Sequence, residues 1–172
     1  MLFSKRALFL AGALSHLASA IPAPDVPADL VVLEQFETEH GTATWYGSAG
    51  PEKRAPVDLE RRCGSNAVTC SGSHQGSAST CAQLIVSIVG PRAQTPIPAS
   101  PRSFCLSGSG GNCCVSWSQV VNNAVYGDLV SAAKAVNNQC QSNGKVSGLA
   151  RDVLVGSTCT TQCLSDRPNG CS

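Results

Sequence analysis

Up to Arg62 this 172-residue chain contains no cysteine, and from Cys63 onward it contains no glutamate. The cysteine-bearing part has one histidine, His74, and three aspartates, Asp128, Asp152 and Asp166. A glycosidase needs two carboxyl groups flanking the scissile bond. Here each aspartate has an ordinary structural context: Asp128 as a helix cap, Asp152 beside Arg151 in a strand, Asp166-Arg167-Pro168 as a turn. Aromatic side chains are few after Cys63, namely Phe104, Trp117 and Tyr126, and no run of Lys/Arg occurs there. That excludes the stacking ladder and cationic track of a single-strand binder, so no nucleic-acid partner is expected. There is no Asn-x-Ser/Thr sequon and no Gly-x-Ser-x-Gly elbow.

What is present begins with a three-part export signal over residues 1–20. It comprises Lys5-Arg6, the apolar run Ala7 to Leu14, and the small-residue end Ala18-Ser19-Ala20. Cleavage after Ala20 is expected. Ser15 and His16 break the run well short of the ~18 to 20 residues a spanning helix needs, so no membrane span is expected.

Residues 21–62 read as an acidic, proline-containing pro-segment or disordered linker. Eight acids face four bases, a net charge of −4, and only Leu30-Val31-Val32-Leu33 and Trp45-Tyr46 offer much to bury. Two dibasic pairs, Lys53-Arg54 and Arg61-Arg62, predict cutting after Arg54 and Arg62 by a kexin-type protease, whose acidic pocket complements adjacent cations on an extended chain. Residues 63–172 then form the mature domain, with six bases against three acids and a net charge of +3. An acidic leader in front of a basic domain suggests shielding of that surface during export.

The ten cysteines are Cys63, Cys70, Cys81, Cys105, Cys113, Cys114, Cys140, Cys159, Cys163 and Cys171. An even count in an exported chain predicts five bridges, each worth ~2 to 4 kcal/mol, without choosing the pairing. The Cys159-x3-Cys163 spacing suits zinc, but oxidation during export and the single histidine argue against a metal, and no cofactor is expected. A hydrophobin pattern needs two cysteine doublets; this chain has one, Cys113-Cys114.

The order reads β-α-β-β-α-β. Ala67 to Cys70 is a short strand. Cys81, Leu84, Ile85, Ile88 and Val89 make one helical face, stopped by Gly90-Pro91. Arg102 to Leu106 and Cys113 to Trp117 flank a glycine-rich turn as a hairpin. Leu129, Ala132, Ala133, Val136 and Cys140 make a second helical face from about Asp128. Asn143-Gly144 marks a turn and Leu149 to Val155 a last strand. The fold class expected is α+β, a disulfide-rich two-layer sandwich with two helices on one face of an antiparallel sheet. Cys81 and Cys140 lie on the apolar helix faces. Strand alternation points at least one of Cys113 and Cys114 inward, so helix-to-sheet bridges are expected. Trp117 is expected in the core.

The strings Cys113-Cys114-Val115-Ser116-Trp117 and Thr158-Cys159-Thr160-Thr161-Gln162-Cys163-Leu164-Ser165-Asp166-Arg167-Pro168-Asn169-Gly170-Cys171 resemble the small fungal secreted cysteine-rich proteins called WD-like domain proteins. Cys81 to Ile85 and Val146 to Arg151 are weaker markers of the same resemblance, which implies no established activity. In precursor organisation and element order the chain is similar to fungal killer toxins and necrosis-inducing effectors, exported α+β sandwiches, some released at dibasic sites. That likeness is one of fold and implies an effector- or toxin-like monomer acting on a host or competitor cell surface.

The enzymatic alternative is a small secreted hydrolase of nuclease type using His74, the only imidazole available as a base in this region. Serine catalysis would need a nucleophile in reach of it and a third orienting group. His74 lies in the polar run Gly72 to Gly76, where a solvated loop histidine is the simpler reading. No catalytic residue is assigned.

Overall fold

The computed structural model describes residues 26–50, 63–89, 92–97, 101–121 and 123–171. The expected export signal over residues 1–20 and the expected cutting positions Ala20, Arg54 and Arg62 lie outside them. In chain order the elements are β1 (Leu30–Thr38), β2 (Gly41–Ser48), β3 (Val68–Cys70), β4 (Gly76–Ser77) and α1 (Ala78–Ser87). They continue with β5 (Pro101–Gly108), β6 (Gly111–Trp117), a single 3-10 turn at Tyr126–Leu129, α2 (Val130–Cys140), β7 (Lys145–Val146), β8 (Gly148–Val155) and β9 (Thr158–Ser165). Seven strands form one antiparallel sheet in the order β1-β2-β5-β6-β9-β8-β3, and β4 pairs with β7 separately. The chain is thus mostly antiparallel sheet with two short helices.

Both helices bury most of the faces their spacing predicted; Val89, expected on the α1 face, lies past the end of the helix and is exposed, and the expected stop at Gly90-Pro91 lies outside the described residues. On α1 the buried residues are Cys81, Leu84 and Ile85, with Ile88 at the cap, and Ser77 Oγ accepts from the Thr80 N–H at the start. On α2 they are Ala132, Ala133, Val136 and Cys140. Asp128 accepts a 2.9 Å hydrogen bond from the Val125 N–H through Oδ2, restraining the turn that feeds α2. Along the strands, alternation sends Ala43, Trp45, Phe104, Leu106, Cys113, Val115, Trp117 and Leu164 into the core shared with both helices. The intervening residues Tyr46, Cys105 and Cys114 form a separate small cluster with Leu30 on the opposite face.

Two expectations are corrected. The expected β-α-β-β-α-β order lacked β1, β2, the β4/β7 ladder and β9. Residues 30–48, expected within a disordered stretch, form a hairpin whose inner strand β2 pairs with β5 from Thr42↔Ser107 to Gly47↔Pro101. The cause is Trp45, fully buried, with its ring centroid 4.5 Å from Phe104 and 5.0 Å from Tyr126. A composition count of residues 21–62 sees one tryptophan without a partner, because its partners lie beyond Cys63.

All ten cysteines are bridged: Cys63–Cys159, Cys70–Cys140, Cys81–Cys113, Cys105–Cys114 and Cys163–Cys171. The cysteine doublet splits by alternation. Cys113 points inward to α1, and Cys114 points to the opposite face, where it joins Cys105 on the neighbouring strand. Cys70–Cys140 clamps the edge strand β3 to α2.

Candidate functional site

The two strings that carried the resemblance are neighbours in space. β6 and β9 pair as Cys114↔Ser165, Val115↔Leu164, Ser116↔Cys163 and Trp117↔Gln162. Beyond β9 the chain turns at Asp166-Arg167-Pro168, and Cys171 returns to Cys163. Ser165 Oγ accepts from the Arg167 N–H, and the Arg167 carbonyl accepts from that hydroxyl, which fixes the turn locally.

This return segment faces the second side of the sheet across a cleft of about 300 Å³. The strands contribute Tyr46, Ser107, Asn112 and the Cys105–Cys114 bridge; the turn contributes Asp166, Arg167 and Pro168. A smaller recess of about 20 Å³ beside Arg102, Ser116 and Pro168 holds no more than a water. Asp166 and Arg167 both line the larger cleft; their Oδ1 and Nε are shielded from solvent and neither makes a hydrogen bond within the chain, Asp166 Oδ1 lying 3.9 Å from His74 Nδ1. One is an acceptor and the other a donor. Burial raises the pKa of Tyr46 above its ordinary value of 10.0, against a smaller lowering by its hydrogen bond with Thr44, so the phenol is a neutral donor.

His74 stands beside this cleft. Its φ of 51° places it in the left-handed region, its carbonyl accepts a 3.0 Å hydrogen bond from the Asp166 N–H, and its Nδ1 lies 3.9 Å from Asp166 Oδ1. Half of the His74 side chain remains exposed. Asp166, read in the sequence as a turn residue, is therefore also the neighbour of the one candidate base. The other aspartates are engaged elsewhere, Asp128 with the Val125 N–H and Asp152 with the Ser65 hydroxyl. Asp152 sits at a register shift of β8, with φ of 54°. Among the described residues no three of His, Cys, Asp or Glu are grouped to hold a metal ion, and no helix is long and apolar enough to cross a membrane.

Sequence reasoning missed Tyr46, Ser107 and Asn112 as cleft residues. The available signal was alternation: Tyr46 follows the core residue Trp45, Asn112 precedes Cys113, and Ser107 follows Leu106, so all three belong to the second face.

Comparison with known proteins finds no match among curated proteins and none among solved structures. The family described as Fungal WD-like matches residues 28–171, a span that takes in the β1–β2 hairpin as well as every cysteine. With its doublet strand, its disulfide-closed return segment and the hairpin all inside that match, the chain belongs to the fungal WD-like family.

Proposed function

We propose that this protein is a secreted, disulfide-caged binding protein of effector or toxin type that acts without catalysis. In this reading it engages a host or competitor cell surface through the cleft between β5, β6 and the 166–168 turn. The observation that carries the reading is a cleft lined by Asp166, Arg167 and the neutral phenol of Tyr46, in which Asp166 Oδ1 and Arg167 Nε make no hydrogen bond inside the chain. A hydroxyl-rich ligand such as a cell-surface saccharide supplies a donor to the carboxylate and an acceptor to the guanidinium. Five bridges suit an oxidising extracellular setting. The export signal ending at Ala20 and dibasic cutting after Arg54 and Arg62 complete the proposed route. Architecturally, we place the two helices as one layer over the sheet.

The test is binding of the fluorescently labelled protein to an array of fungal and plant cell-wall oligosaccharides, with Arg167→Ala in parallel. Saturable binding weakened at least tenfold by the substitution is the expected result. Absence of binding to every glycan, with the fold intact, overturns the reading.

One observation favours the hydrolase alternative, the 3.9 Å approach of His74 Nδ1 to Oδ1 of the cleft-lining Asp166. A carboxylate in that place would orient an imidazole base. Release of nucleotides from RNA that is abolished by His74→Ala in a folded protein would establish it; a substituted protein with full biological effect removes it.

A further inference from the structure

The five bridges partition the chain unevenly. All of them join residues between Cys63 and Cys171, so nothing covalent other than the backbone holds the β1–β2 hairpin to the rest. Yet the hairpin supplies part of the central core. Trp45 and Ala43 are fully buried, and the Trp45 ring packs on Phe104, Trp117 and Tyr126. Its Nε1 donates a 2.8 Å hydrogen bond to the Tyr126 hydroxyl. On the same strand Tyr46 packs with Cys105 and Cys114 on the second face. Phe36 of β1 stacks 6.3 Å from Phe104 and lies under the guanidinium of Arg92, 4.7 Å from the ring centroid. β2 also completes the hydrogen bonding of the β5 edge along six residue pairs.

We propose that dibasic maturation leaves a two-chain protein: the cut leader is not released but stays as a non-covalent subunit, its hairpin bound to the β5 edge and to the aromatic pocket formed by Phe104, Trp117 and Tyr126. Loss of the hairpin would bare an unpaired strand edge and this aromatic pocket to water, both unfavourable. The acids Glu34 and Glu37 lie on the outer strand β1, and Glu39 in the turn after it, where charge discourages further strand pairing. The inference rests on the proposed cutting at Arg54 or Arg62.

The experiment uses the full chain produced with its bridges formed, treated with a kexin-type protease, then passed through native size exclusion at micromolar concentration with intact-mass detection. The expected result is one peak holding both fragments in equal amounts, which separate in 6 M urea without reductant. A Trp45→Ala chain cut in the same way should bind its hairpin fragment roughly two hundredfold more weakly or worse, the scale of a buried tryptophan truncation. Fragments that separate in native buffer overturn the two-chain inference and leave the processing reading standing. A chain that the protease does not cut overturns both, as does secreted protein in which residues 21–172 form one unbroken chain.

Discussion

The indole Nε1 of Trp45 donates a 2.8 Å hydrogen bond to the hydroxyl of Tyr126, 81 residues along the chain. The two rings meet edge to face with centroids 5.0 Å apart. This contact joins the cysteine-free front of the chain to the disulfide-bonded remainder, and Trp45→Ala removes it together with a buried ring. The expected loss is about 3 to 5 kcal/mol of unfolding free energy. Trp45→Phe keeps most of the packing but leaves the Tyr126 hydroxyl without its donor, for about 1 to 3 kcal/mol. Urea denaturation followed by far-UV circular dichroism measures both.

The bridges differ in the length of chain they close. Cys70–Cys140 spans 70 residues and Cys105–Cys114 only 9. Chain-entropy reasoning gives about 4 kcal/mol for the longer loop and about 2.5 kcal/mol for the shorter. The double substitution Cys70→Ala/Cys140→Ala should therefore lower the denaturation midpoint more than Cys105→Ala/Cys114→Ala. Thermal unfolding of the two variants side by side decides the order.

Gly148 opens β8 where α2 comes closest. A Cβ there would lie 2.8 Å from the Thr69 carbonyl oxygen, 2.9 Å from Cys140 Sγ and 3.1 Å from a Val136 methyl carbon. Backbone and bridge cannot both give way. Gly148→Ala should destabilise by about 1 to 3 kcal/mol through overpacking, read as a lower melting temperature.

The chain has only two tyrosines, Tyr46 and Tyr126, and both have pKa values above the ordinary 10.0. Burial is the main cause in each; the Thr44 and Trp45 hydrogen bonds act in the opposite, lowering direction. In the unfolded chain the phenols lose their protons near pH 10, while the folded chain holds them to higher pH. Their contribution to stability is therefore complete below pH 10 and declines as pH rises from there through the folded-state values. Absorbance of tyrosinate near 295 nm should stay flat past pH 10 in the folded protein and titrate normally in 6 M guanidinium. A folded-state curve that coincides with the denatured one contradicts the burial assigned to both rings.

Much of the fold after Cys63 was legible because its signals are local. Cys81, Leu84 and Ile85, and likewise Ala132, Ala133, Val136 and Cys140, repeat at helical spacing and are buried on those faces. The Asn143-Gly144 turn has the positive φ values, 50° and 72°, that this pair adopts readily. β9 was hidden because its inward positions include Thr160 and Gln162, polar residues buried by specific contacts. Gln162 reaches the Leu129 carbonyl through Nε2 at 2.7 Å, a bond no periodicity announces. The hairpin was hidden for the opposite reason. Its most apolar run, Val31-Val32-Leu33, lies exposed on the sheet edge, while the residue that commits the segment to the core is the single Trp45. The cleft was legible only in fragments, since Tyr46, Asn112 and Arg167 come together through β2, β6 and the turn after β9, three segments distant in sequence.

Amide hydrogen exchange on the intact protein tests most directly whether residues 30–48 belong to the caged domain. The amides of Ala43 to Tyr46 should be protected to nearly the same degree as those of Cys113 to Trp117 in β6, exchanging only when the domain unfolds. Exchange of the hairpin amides at the rate of an unstructured peptide, with β6 still protected, would contradict the account.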